Sequence, residues 1–178
     1  MDELKNKLAG GCHFSGAFSL WQFCPETQTI IHYLKYRTFG NLAERIGKAM
    51  AKKLTENQLP AQDMLIMPIP LHKTRIRERG YNQSSLLCKA IASETEIPFE
   101  DSVLKRVRYT ASQTKLTAKE RQKNVANAFA VSHREKILNK TIILVDDVIT
   151  TGVTMNGCAG ELLKNGAKKV YVLSAVKV

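Results

Sequence analysis

The string IILVDDVITTGVT, residues 142–154, constrains the fold of this chain more than any other segment. Its first four residues are apolar and three are β-branched, which specifies a buried strand over Thr141–Val145. Thr154–Lys164 reads as a helix that stops at Asn165 and Gly166, a helix C-terminal signal. Val170–Val176 reads as a second strand. A strand–loop–helix–strand unit predicts a parallel pair with a right-handed crossover. Asp146 and Asp147 then fall at the C-terminal end of a strand, the edge where open α/β sheets bind ligands.

The rest of the chain is consistent with an α/β sheet covered by helices. Leu42, Ile46, Met50 and Leu54 recur at helical spacing within residues 41–54. Met64–Ile69 reads as a buried strand running into a loop constrained by Pro68 and Pro70. The loop LHKTRIRERG follows, then a helix over Tyr81–Ser93. Val103–Val107 and Ala126–Val131 read as strands, and residues 108–124 are polar and basic without a period. Residues 1–27 form an N-terminal segment whose structure the pattern does not specify, and residues 28–178 form the main domain.

The chemistry starts from the acid pair. Two carboxylates at a strand end can accept hydrogen bonds from the vicinal hydroxyls of a ribose. Thr150, Thr151, Gly152, Val153 and Thr154 come next, between strand and helix. Gly152 permits a backbone turn that other residues resist. Successive N–H groups and a helix N-terminus attract an anion. Acids for a sugar beside a threonine cradle for a phosphate fit a ribose 5-phosphate.

The order of four apolar residues, two acids, two apolar residues and T-T-G-x-T matches the phosphoribosyl pyrophosphate (PRPP) signature of the type I phosphoribosyltransferases. That resemblance implies a type I phosphoribosyltransferase-like α/β fold, a mainly parallel sheet flanked by helices with a flexible hood. It further implies PRPP or ribose 5-phosphate as ligand and Mg²⁺ as the accompanying ion. No G-x-x-x-x-G-K-[ST] or G-x-G-x-x-G string occurs, which removes the nucleoside-triphosphatase and dinucleotide readings.

Two further blocks narrow the resemblance. Pro68–Gln83 contains H-x-x-K-x-R-x-R-G-Y-N-Q-like spacing, and Arg106, Gln113, Leu116, Arg121, Asn124 and Phe129 follow in order. Both resemble the ComF family of competence proteins, and with the acid-pair segment the likeness covers roughly residues 30–178. Many members of that family begin with two C-x-x-C pairs. Here Cys12 and Cys24 stand alone in that region, and Cys88 and Cys158 fall in helices, so no zinc ribbon is expected.

By analogy with the fold, Lys73, Arg75, Arg77 and Arg79 lie where a pyrophosphate would be held, and residues 108–124 correspond to the hood. Lysine and arginine suit so dense an anion. Three functions are compatible with these features. The first is a phosphoribosyltransferase acting on an unidentified base, with Asp146 and Asp147 as the catalytic acids. Thr150 stands where purine-type enzymes often carry a third acid, so no general base is apparent. The second is a protein of DNA uptake in natural transformation, binding single-stranded DNA and other competence proteins. A net charge of +11 favours polyanionic or phosphorylated partners, and Tyr36, Phe39, Tyr81 and Tyr109 lie close to basic residues. The third is a PRPP sensor without turnover. No apolar run is long enough to span a bilayer and no signal-peptide pattern opens the chain, so a cytoplasmic location is expected.

Overall fold

A computed structural model describes residues 8, 11–36, 40–59, 62–108 and 127–178. Four strands form one fully parallel sheet in the order β1-β6-β5-β2. They are β1 (Gly16–Gln22), β2 (Met64–Pro68), β5 (Thr141–Ile149) and β6 (Lys169–Lys177). A short antiparallel ribbon, β3 (Leu104–Arg106) with β4 (Phe129–Val131), stands apart from it. The helices are α1 (Pro25–Tyr36), α2 (Gly40–Glu56), α3 (Lys73–Arg79), α4 (Gln83–Thr95) and α5 (Val153–Lys164). No helix among the described residues is long and apolar enough to cross a membrane.

The alternation of side chains along β5 divides the core into two. Ile143 and Val145 join Ile31, Ile46, Met50, Leu87 and Ile91 beneath α1, α2 and α4. Ile142 and Leu144 join Phe129, Ile137, Cys158 and Leu162 on the side of α5 and the ribbon. Burial on both faces is why β5 reads as a continuous apolar run rather than an alternating one. α2 and α4 approach closely at Gly47, where a Cβ would stand 2.4 Å from the Ala90 Cβ.

The structure differs from the sequence pattern in several places. β5 runs four residues past Val145, because Val148 and Ile149 continue the pairing with β6. The segment read as the loop LHKTRIRERG holds helix α3. Its residues lack an apolar period because none of them is buried. Instead its ends define it. The His72 ring accepts from the Thr74 amide at 3.3 Å, and Gly80 closes it at φ 81°. Tyr81 precedes the next helix, whose N-cap is Asn82. α1 was not legible, and residues 16–22 supply the edge strand β1, paired with β6.

Candidate functional site

β5 carries the acid pair to the sheet edge, and the two carboxylates meet different surroundings. Asp147 is 3% exposed and points to the α1–α4 side. Its Oδ2 is 2.7 Å from Lys35 Nζ, and its Oδ1 accepts from Gln83 Nε2 at 3.4 Å. The sequence pattern puts both acids alike at the ligand-binding edge of the sheet, and for Asp147 this is corrected, because its side chain is buried there. Nine-residue β5 extends past it, and α1 and α4 cover it.

Asp146 is half-buried. Its Oδ1 accepts from the Ser84 hydroxyl at 2.8 Å and from the Asp147 amide at 2.9 Å. Burial pushes the Asp146 carboxyl up to about 8, and the adjacent Asp147 adds to the effect. The Ser84 bond and the Lys35 charge oppose it. One acid is therefore locked in an ion pair, while the other is partly open and easily protonated.

The threonine segment lies where β5 passes into α5. Thr150 is exposed, Thr151 and Thr154 are half-buried, and Gly152 and Val153 are buried. Gly152 adopts φ 74°, a left-handed turn that glycine reaches without a Cβ penalty. Its carbonyl already accepts from the Asn156 amide at 2.8 Å, so the helix starts immediately after the turn. α5 thus opens directly behind the turn, and a helix N-terminus is the end that attracts an anion. Val153 can contribute only its backbone there, because its side chain is in the core.

α3 sorts the basic block. Arg75 pairs with Glu78 at 2.9 Å, and Lys73 and Arg77 are exposed. Arg79 reaches the acid-pair side, donating to Gln83 Oε1 at 2.9 Å with its guanidinium 5.4 Å from the Tyr36 ring centre. A chain of contacts thus runs from Arg79 through Gln83 to Asp147. The Tyr81 hydroxyl donates to the Leu34 carbonyl at 2.8 Å, which fixes the turn between α3 and α4 to α1. Gln113 and Arg121 lie outside the described residues, as does Tyr109.

Two residues enter the site that pattern reading did not place there. Lys35 belongs to α1, whose apolar positions are too sparse to stand out, and only its ion pair reveals it. Arg106 was visible only as one member of a spaced motif. It lies over the Phe129 ring, 5.6 Å from its centre, and burial lowers its guanidinium pKa. Asp146 and Cys158 are close enough to oppose that shift. Asn156 has a separate, structural task. It accepts from the His13 amide at 2.7 Å and donates to the Gly11 carbonyl at 2.9 Å, tying the N-terminal segment to α5. Among the described residues, no three His, Cys, Asp or Glu side chains are grouped to hold a metal.

The phosphoribosyl transferase domain family matches residues 81–177, which include α4, β5, the threonine turn and α5. DNA utilization protein YhgH of Salmonella typhimurium is 34% identical over 160 residues, 86% of this chain and 68% of that protein. Competence protein F of Haemophilus influenzae is 37% identical over 123 residues, 68% of this chain and 52% of that protein. Competence protein ComFC of Bacillus subtilis is 30% identical over 107 residues, 60% of this chain and 41% of that protein. The chain thus spans about two thirds or less of the length of these relatives. With a parallel α/β sheet that carries an acid pair into a glycine turn and a helix start, this chain belongs to the phosphoribosyl transferase domain family, among relatives of the ComF competence-protein type.

Proposed function

We propose that the chain binds PRPP as its Mg²⁺ complex and serves the handling of DNA taken up by the cell. The observation that carries the first part is the run from Asp146 through the left-handed Gly152 to the start of α5. It sets a carboxylate for ribose hydroxyls beside a helix N-terminus whose positive end suits the 5-phosphate. Asp146 is the acid that meets the diol. Asp147, held by Lys35 and Gln83, keeps the strand end and the two helices in register with it. Thr150, Thr151 and Thr154 supply hydroxyls to the phosphate, and Gly152 and Val153 supply backbone amides. Lys73, Arg75, Arg77 and Arg79 meet the pyrophosphate. Gln113 and Arg121 belong to the segment that closes over the ligand.

Mg²⁺ fits this site only as part of the ligand. One of the two carboxylates already carries a lysine, so the protein offers too few free oxygens for a cage of its own. The ligand's own oxygens would hold most of the ion, which would supply positive charge against the pyrophosphate. If the site turns PRPP over, the partly open Asp146 faces the positive charge that grows on the sugar.

The DNA part rests on what the relatives are called, DNA utilization and competence proteins, and on the +11 charge. Single-stranded DNA is the partner such a surface suits. Calorimetric titration with PRPP, with and without Mg²⁺, tests the first part. Binding is expected only with the ion, and ribose 5-phosphate should bind more weakly. A pyrophosphate-release assay across candidate bases then separates a transferase from a sensor.

A further inference from the structure

A pocket of about 400 Å³ lies between α3, the outer flank of α4 and the ribbon strand β3. This is within the size range of small-molecule sites, about 300–1,000 Å³. It is distinct from the acid-pair site, and the turn of α4 shows why. At about 3.6 residues per turn, Gln83, Ser84, Leu87 and Ile91 share one side of the helix, and all are buried. Gln83 and Ser84 bind the two acids. Asn82, Ser85, Leu86 and Lys89 take the opposite side and line the pocket. None of residues 146–154 lines it.

The lining has a consistent chemistry. Pro68, Pro70, Ile76 and Leu86 give an apolar floor. Ile76 is 40% exposed on an otherwise polar helix, and an occupant of the pocket would cover it. Lys73, Lys89, Lys105 and Arg106 contribute positive charge against one acid, Asp101. The uncharged polar groups are largely committed elsewhere. The Asn82 amide bonds Ile69 and Ser84, and the Tyr81 hydroxyl bonds Leu34. Recognition therefore falls to the cations, which select an anion, and to the floor, which selects a flat apolar body.

We propose that this pocket binds a nucleotide, its phosphate on Lys89 and Lys105 and its base against the proline floor. The nucleotide is either free or one unit of a single strand, and the chemistry of the contact is the same. Asp101 is placed to accept from a sugar hydroxyl or a base N–H. Lys73 lies at the boundary with the pyrophosphate site, so the two ligands occupy adjoining positions on α3. The proposal does not depend on PRPP binding at Asp146.

The test uses the full chain and three probes: thymidine 5′-monophosphate, inorganic phosphate and a short oligothymidylate. Calorimetry should show the monophosphate or the oligonucleotide binding at least about tenfold more tightly than phosphate alone, because phosphate keeps the lysine contacts but lacks a base to cover the apolar floor. Tighter binding of the oligonucleotide assigns the pocket to a strand, and equal binding assigns it to free nucleotide. The paired change Lys89→Glu with Lys105→Glu should weaken either ligand by about tenfold or more. PRPP affinity should stay within about twofold, because neither Lys89 nor Lys105 belongs to the acid pair, the threonine turn or α3. Both lysines are exposed, so the fold should persist, with Lys89→Ala and Lys105→Ala as a milder pair if melting shifts. No binding of either nucleotide probe, affinity no better than phosphate, or no loss in the lysine variants would each overturn the proposal. Absence of PRPP binding in the unaltered protein would sink the PRPP reading and leave this one standing.

Discussion

Lys35 Nζ lies 2.7 Å from Asp147 Oδ2, and that contact joins the end of α1 to the edge of the sheet. The carboxylate is almost wholly buried, while the lysine keeps a quarter of its side chain in solvent. The pair therefore separates two adjacent acids into different roles. Asp147 is tied into the sheet edge, and Asp146 keeps part of its carboxyl open, as the proposed ligand contact requires.

Removing the cation should expose this arrangement. Lys35→Met leaves Asp147 buried without its counter-charge, and breaking a buried pair costs roughly 3–5 kcal/mol. Because Lys35 is partly exposed, the loss should lie near the bottom of that range. Urea unfolding measures it. Lys35→Met combined with Asp147→Asn should recover much of the loss, since no unpaired charge then remains. A double variant no more stable than the single one would contradict the ion-pair account.

Asp146 should make both stability and ligand binding pH-dependent. Its folded value is about 8 against an ordinary 3.8, so the native state holds an extra proton between them. The contribution of this group to stability therefore falls as pH rises through that window and levels off above it. Asp146→Asn should flatten that part of the stability profile. If ribose hydroxyls donate to the carboxylate, PRPP binding favours its ionised form. Affinity should then rise with pH up to about 8, with proton release on binding near neutrality. Calorimetry in buffers of different ionisation enthalpy reads the proton directly, and proton uptake would contradict the assigned polarity.

The basic helix α3 should discriminate between ligands. Lys73→Ala and Arg77→Ala should each weaken PRPP by about tenfold, the worth of a charge-assisted hydrogen bond of roughly 1.5–3 kcal/mol. Ribose 5-phosphate, which lacks the pyrophosphate, should be affected much less. Equal weakening of both ligands would remove α3 from the pyrophosphate site.

Single-stranded DNA should bind without sequence preference and with steep salt dependence. The logarithmic slope should be about −0.7 per neutralised phosphate. Tyr81→Phe should leave that binding unchanged and instead reduce stability by about 1 kcal/mol, since the hydroxyl serves the Leu34 carbonyl. Labelled-oligonucleotide titration at two salt concentrations checks the first statement and thermal melting checks the second. A DNA defect in Tyr81→Phe without a stability change would reverse the assignment.

The site was legible in sequence where the residues carry strong local signals. β5, the glycine turn and α5 follow from an uninterrupted apolar run, a glycine between threonines and an Asn–Gly stop. α3 was not legible because its stability signals are caps, not apolar spacing, and its surface is polar throughout. The partner of Asp147 was hidden for a different reason. Lys35 is 112 residues away in the chain, and nothing local marks one lysine among many as the one that a buried carboxylate requires. The opposite faces of α4 likewise become apparent only when Gln83 and Ser84 are seen against the acids and Lys89 against the ribbon.

The most direct test of the central claim is calorimetric titration of PRPP with Mg²⁺ into the unaltered chain and into Asp146→Ala. Binding to the first is expected, with most of it lost in the second while the Asp146→Ala protein still melts cooperatively. Equal PRPP affinity in the two proteins would contradict it.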